Sequence, residues 1–276
     1  VIDFNSNDDI TISSHNNNPV GSLTQMTSKD GGKIWTGTFT PDTDIEVNNA
    51  TLTLSNNWKD LAGNTGVTEV SGLFNVDTSR PIVENIILSN SNAKELGADD
   101  IPSSYKLGEF IYLLVKFSHI VTVSHVNPPE LVLWDDKIAN LYTSTSTSSQ
   151  NLLFRYTVEA DIDKTDLKVT NINNHTNILD GAGNYIVPFN TIHPDNINVI
   201  SIIIDGVTPT LSSITTSWGN VLNQNDMSSD GTVTVITSGV EDNQNVTINL
   251  NSHDYTQSCQ NNSTTFTITE GHLKNL

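Results

Sequence analysis

Hydrophobic and polar positions alternate along this chain in short runs rich in Val, Ile, Thr, Phe and Tyr: residues 34–39 (IWTGTF), 50–54 (ATLTL), 152–158 (LLFRYTV) and 245–250 (NVTINL). A period of two is that of a strand with one face on a core, because successive side chains leave a pleated backbone on opposite sides. Clusters of Asn, Ser, Asp, Gly and Pro separate the runs, among them residues 16–19, 30–32 and 171–177. Gly reaches positive φ and Asn or Asp bonds its own backbone, so these clusters predict turns, at the spacing of about ten residues usual in sandwiches. No window carries a 3.6-residue period, and residues 269–276, with Leu273 and Leu276 three apart, are too few to decide. The pattern predicts an all-β chain of sandwiches.

One signature recurs. Asp60-Leu-Ala-Gly-Asn64 is followed by Val76-Asp77-Thr78-Ser-Arg-Pro81, and Asp180-Gly-Ala-Gly-Asn184 by Ile204-Asp205-Gly206-Val-Thr-Pro209. The repeat ends are 209 − 81 = 128 residues apart, the length of one domain. The expected division is therefore 1–80, 81–208 and 209–276, with only the middle block complete. Residues 1–4 resemble the second strand of the middle block, residues 113–117 (LLVKF), and no D-x-A-G-N follows residue 209, so the outer blocks read as incomplete sandwiches. A naturally smaller first sandwich is the alternative.

These motifs resemble the tandem bacterial immunoglobulin-like repeats of large secreted surface proteins, the biofilm-associated and repeat-in-toxin-type adhesins. The first block resembles one repeat type through DITI, KIWTGTFTPDTDIE, DLAGN and FNVDTSRP, within residues 9–81. The middle block resembles a related type through 115–123 (VKFSHIVTV), 129–133 (PELVL), 142–158 and the acidic 159–166, and the third block resembles another through 218–223 and 238–243. The resemblance implies immunoglobulin-like sandwiches, neighbouring repeats of the same protein as partners, and an extracellular or bacterial cell-surface location. Two departures stand out: Ser118-His119 where such repeats often carry Ser-Glu, and Asp205-Gly206 in place of Asp-Thr.

Charge narrows the functions. Twelve Lys plus Arg against 31 Asp plus Glu leave a net charge of −19, and the pI is near 4.4. A phosphate backbone or an anionic membrane face is repelled, so nucleic acid is not an expected partner. No apolar stretch reaches the roughly 20 residues of a spanning helix, so membrane insertion of this segment is not expected either. The single Cys259 allows neither an internal disulfide nor a thiolate metal site.

Asp60, Asn64, Asp77, Asp180, Asn184 and Asp205 place side-chain oxygens where one block hands over to the next. Such hard ligands suit calcium, which takes 6 to 8 oxygens in a forgiving geometry, and make calcium the expected cofactor. The competing reading is that these residues close Asx-turns, with Gly63 and Gly183 supplying positive φ. Asp161-Ile-Asp163-Lys-Thr-Asp166 fails as an EF-hand, having Asp166 where the turn needs Gly and Ile172 where a bidentate Glu is required. The adjacent pairs Asp99-Asp100 and Asp135-Asp136 would diverge on a strand and nominate no acid–base couple. The seven histidines are scattered, and neither a nucleophile motif nor a phosphate loop is present. Trp35, Trp58, Trp134 and Trp218 suit a sugar platform in principle and a sandwich core more commonly.

The expected function is a structural stalk segment of a bacterial extracellular adhesin, stiffened by calcium at domain junctions and without enzymatic activity. The alternatives are a module binding a surface glycan or host protein, and an accessory region of a secreted polysaccharide-active enzyme.

Overall fold

The computed structural model describes residues 9–13, 18–60, 62–124, 126–142, 148–192 and 198–276. The apolar run at 1–4, residues 16–17 of the first turn cluster, the Ser/Thr run at 143–147 and His15, His125 and His193 lie outside the described residues. Strands take 50% of the described residues and helices 8%. The chain forms two compact units, one of residues 1–101, 112–156 and 168–200, the other of residues 102–111, 157–167 and 201–276.

In the first unit, Glu46–Leu54 is the central strand of a small antiparallel sheet, pairing with Ile10–Ser13, Glu69–Val70 and Phe74–Asp77. Its register shifts between Val47 and Ala50, where Asn49 has φ 62°. That bulge returns Ala50 to the core face, where it packs with Ile12, Val20 and Val76 under Leu23, Phe39 and Phe74. The larger sheet of this unit is ordered Ile178–Leu179, Phe110–Val123, Ser148–Thr157, Ile138–Leu141, Glu130–Leu133, Leu167–Asn173, Asn198–Ile200, and Val83–Ser89 also pairs with Phe110–Val123. Alternation is cleanest in Phe110–Val123, where Leu113, Val115, Phe117 and Val121 are all 0% exposed. Leu152, Phe154 and Tyr156 repeat the pattern on Ser148–Thr157. Each such side chain contributes about 1.5–3 kcal/mol by leaving water.

In the second unit, Ile203–Asp205 runs parallel to Ser104–Lys106 and antiparallel to Asp163–Lys164. Thr210–Thr216, Gly231–Ser238 and Ser263–Ile268 form a three-stranded antiparallel sheet, and Asn245–Leu250 pairs with His253–Ser258. The core gathers Val233, Val235, Phe266, Ile268 and Leu273. Trp218 packs against it, seated on Gly231, where a Cβ would approach the indole to 2.8 Å. The ambiguous 269–276 segment contains a one-turn helix, Glu270–Leu273, capped by the Thr269 side chain, with Leu273 buried.

Three of the four sequence-predicted strands fall on observed ones: Glu46–Leu54, Ser148–Thr157 and Asn245–Leu250. The run at 34–39 does not. Its strand starts only at Phe39, Ile34 is 66% exposed, and pairing before that is the isolated bridge between Thr27 and Thr36. Asp30 competes for the local backbone, its carboxylate accepting from the N–H groups of Lys33 and Ile34, so the alternation is spent on a turn. Asp99-Asp100 and Asp135-Asp136 sit in 3₁₀ turns and not on strands. Asp135 and Asp136 both have positive φ.

Candidate functional site

The D-x-A-G-N segment closes on itself. The Asp60 N–H donates to Asn64 O at 3.0 Å and the Gly63 N–H to Asp60 O at 3.0 Å. Asp60 Oδ1 accepts from the N–H groups of Ala62 (2.9 Å) and Asn64 (2.8 Å), and Oδ2 accepts from Asn64 Nδ2 at 2.7 Å. The Asn64 amide, followed by its backbone N–H, holds the Asp60 carboxyl below the usual carboxylate range. A depressed pKa makes this contribution present above the ordinary carboxylate range and lost as pH falls through the lowered value. The Asp180 turn repeats the scheme bond for bond, with Oδ1 accepting from Ala182 and Asn184 at 2.9 Å and Oδ2 from Asn184 Nδ2 at 2.9 Å. Gly63 and Gly183 have φ 86° and 94°, the conformation that requires glycine here.

A third turn of this kind escaped the sequence reading. Asn90 N–H donates to Lys94 O and Ala93 N–H to Asn90 O, while Asn90 Oδ1 accepts from the N–H groups of Asn92 and Lys94. Asn stands for the leading Asp, and Ala93 takes the glycine position at φ 59°. The left-handed region costs a non-glycine residue about 1–2 kcal/mol, and glycine's freedom in the unfolded chain offsets about 0.5–1 kcal/mol of the relief. Ala93→Gly is therefore expected to stabilise the protein by about 0.5 kcal/mol, read as a higher urea midpoint at constant m-value. A lowered midpoint would contradict the strain assignment.

The strand exits also correspond. Asp77 Oδ1 accepts from Ser79 N–H at 3.1 Å and Asp205 Oδ1 from Val207 N–H at 2.9 Å. Asp77 lies opposite Glu46, and Asp205 opposite Asp163. Thr78 N–H donates to Ile45 O and Gly206 N–H to Ile162 O. Thr78 adds a hydroxyl bond to Asp42 O at 2.7 Å. At the second exit the backbone closes the gap itself, and a Cβ on Gly206 would lie 1.9 Å from Glu159 O.

Within the first unit the exit of the first block meets the turn of the middle block. Asn184 Nδ2 reaches Asp77 O at 3.2 Å and Ser79 O at 3.4 Å. Arg80 donates through Nε to Tyr185 O at 2.9 Å and through a terminal nitrogen to Ile186 O at 2.7 Å, with its guanidinium 4.1 Å from the Tyr185 ring centroid. Val187 N–H donates to Pro81 O at 2.9 Å, and Ser118 Oγ accepts from Ile82 N–H at 3.0 Å. His119, the residue in place of the expected Glu, has Nε2 3.9 Å from Glu46 Oε2. A charge-assisted fork, a cation–π contact and the bonds of the Asn184 amide thus fasten residues 77–82 to residues 180–187.

Of the six expected calcium ligands, the structure joins Asp60 with Asn64, and Asp180 with Asn184 and the Asp77 carbonyl; Asp205 caps its own exit. The Asp60 and Asp180 carboxylates are engaged by three N–H donors each. Among the described residues no three His, Cys, Asp or Glu side chains gather around one point. A polar recess of about 520 Å³ lies beside the junction, lined by Glu46, Asn48, Asn75, Asp77 and the turn residues Gly181 and Ala182. Arg80 and Tyr185 were missed as a pair in the sequence. The sequence offered only an asymmetry of composition: the first exit carries Arg80 and the later turn Tyr185, while the second exit has no arginine and the first turn has Thr65.

Residues 2–76 match the family described as the bacterial Ig-like domain. No curated protein and no solved structure matched the chain. Residues 2–76 are thus similar to an immunoglobulin-like bacterial domain, and the all-β architecture is that of such sandwiches. Bacterial domains of this type commonly occur in extracellular or surface proteins.

Proposed function

We propose that this chain is a structural stalk segment of a bacterial extracellular adhesin of the biofilm-associated kind, without catalysis of its own, whose successive immunoglobulin-like blocks are fastened by the Arg80–Asn184 latch. What supports the reading is that the two recurring motifs meet, the exit of one block lying in the turn of the next. A stalk transmits force only if its joints resist bending, and this joint uses backbone carbonyls that every repeat exit possesses. The test is ¹⁵N relaxation on the full chain. The amides of residues 10–76 and 83–142 should report one correlation time, with residues 77–82 as ordered as the strands. Separate tumbling of the two sets would refute the latch.

Calcium is a second reading, favoured by the recess lined by Glu46, Asp77, Asn48 and Asn75, with Glu46 and Asp77 opposite one another on paired strands. With a dissociation constant of about 10⁻⁴–10⁻³ M, about 1 mM calcium would add about 0.4–1.4 kcal/mol at such a site. The thermal midpoint at that calcium concentration should then exceed that in chelator, and Asp77→Asn should abolish the difference. Coincident curves for the unaltered chain retire calcium at this junction. A surface glycan or host protein remains the ligand class to be tried in retention assays.

A further inference from the structure

The Asp180 turn has a neighbour in its grasp, and the Asp60 turn, built the same way, has the same donors in the open. The two match at each hydrogen bond within the turn, and both are flanked by an antiparallel bridge, Lys59 with Thr65 and Leu179 with Tyr185. Beyond the turn they still correspond: Gly66 N–H donates to Trp58 O as Ile186 N–H does to Ile178 O. Residue 67 therefore occupies the place of residue 187. In the engaged copy, Asn184 uses one amide hydrogen on Asp180 and turns the other to the carbonyls of Asp77 and Ser79, while Val187 N–H takes Pro81 O. In the other copy, among the described residues, Asn64 Nδ2 donates only to Asp60 Oδ2. Val67 is 71% exposed, where Val187 is half-buried. Asp180 is buried at 7%, whereas Asp60 is exposed.

We propose that the surface formed by Asn64 and Val67 is a docking site for the exit strand of another immunoglobulin-like unit, a segment of the Asp-Thr-Ser-Arg-Pro type. The recognition is of main chain: the second Asn64 amide hydrogen takes a carbonyl of the exit, and Val67 N–H takes the carbonyl of its proline. An arginine in the docked exit finds the carbonyls of Thr65 and Gly66. It finds no ring, because Thr65 stands where Tyr185 supplies one, so this copy of the site binds more weakly than the engaged one. The inference rests on the reading of residues 180–187 as a latch.

The test uses the full ¹⁵N-labelled chain and, as probe, a capped synthetic peptide with the sequence of residues 74–82. Backbone-only docking of a flexible peptide is weak, with a dissociation constant on the order of 1 mM. Saturable shifts of the Asn64 side-chain amide and the Val67 amide are expected, with the Arg80 Nε–H resonance unmoved. Val67→Pro removes the donor and should weaken binding at least fivefold; should that variant not fold, Asn64→Ala serves, as it deletes the other donor. Absence of saturable shifts at about 10 mM peptide, or equal binding by the variant, overturns the docking site. If those resonances are silent while Arg80 Nε–H is protected from exchange in the free chain, the docking site fails and the latch stands. If Arg80 Nε–H is unprotected, both fail.

Discussion

Gly206→Thr, which would make the second exit read Asp-Thr like the first, is expected to destabilise the protein by about 3 kcal/mol. Overpacking a well-filled site costs about 1–3 kcal/mol, and the upper end applies when the obstacle is main chain. Here the added Cβ would meet Glu159 O at 1.9 Å and Ile162 N at 3.4 Å. Neither is the flexible end of a side chain. Relief requires moving the 159–162 segment, which breaks the 2.6 Å bond from Gly206 N–H to Ile162 O and the bond from Asp161 N–H to Gly206 O. At the first exit the threonine is welcome because its hydroxyl spans the space to Asp42 O. The measurement is urea unfolding of the variant followed by a probe in residues 201–276. A midpoint within error of the unaltered chain would show that the exit can widen without loss, and that the Asp-Gly departure is neutral.

Arg80→Ala carries the second large effect, about 2 kcal/mol, and it should be local to the junction. Hydrogen bonds from charged donors contribute about 1.5–3 kcal/mol where partly buried, and the stacking on Tyr185 about 0.5–1 kcal/mol, with part lost to solvent screening of a half-buried guanidinium. The Val187 N–H, bonded to Pro81 O, should exchange about thirtyfold faster, since about 1.4 kcal/mol is a factor of ten. Phe117 and Phe154, both 0% exposed, should keep their amide protection, because their burial does not pass through Arg80. Arg80→Lys should recover little: an ammonium cannot reach two successive carbonyls as a planar fork does. Unchanged exchange at Val187 in the alanine variant would mean that Asn184 and the backbone hold the joint unaided.

Particular residues show why much of the fold was legible and where legibility ended. While its full length was not read, the strand named at 113–117 was legible as the centre of Phe110–Val123, where burial at Ile111, Leu113, Val115, Phe117, Val121 and Val123 follows the alternation of the pleat, a local property of the chain. Positive φ at Gly63 and Gly183 was legible for the same reason, since the need for glycine is fixed within the turn. The strand expected at 34–39 failed because Asp30 captured the backbone first. The third turn went unseen because Asn90 and Ala93 perform the roles of Asp and Gly under different names.

The sequence by itself determined the all-β class, the turns at 30–32 and at each D-x-A-G-N, and the pairing of each D-x-A-G-N with a later Asp-x-x-x-Pro exit, because glycine and Asx chemistry act within a few residues. The turn expected over 171–177 begins only at Asn174, since Asn171, Ile172 and Asn173 pair with residues 130–132. Only the tertiary structure decided what those motifs do to one another. The oxygens of Asp60 and Asp180 are committed to their own turns, and the amide of Asn184 and the fork of Arg80 reach across 105 to 107 residues of chain to close the joint. No spacing in the sequence encodes such a contact. It depends on two strand ends being brought within hydrogen-bonding reach by sheets whose registers are set elsewhere, by the packing of Ala50 and Val76 in one block and of Val115 and Phe117 in the next.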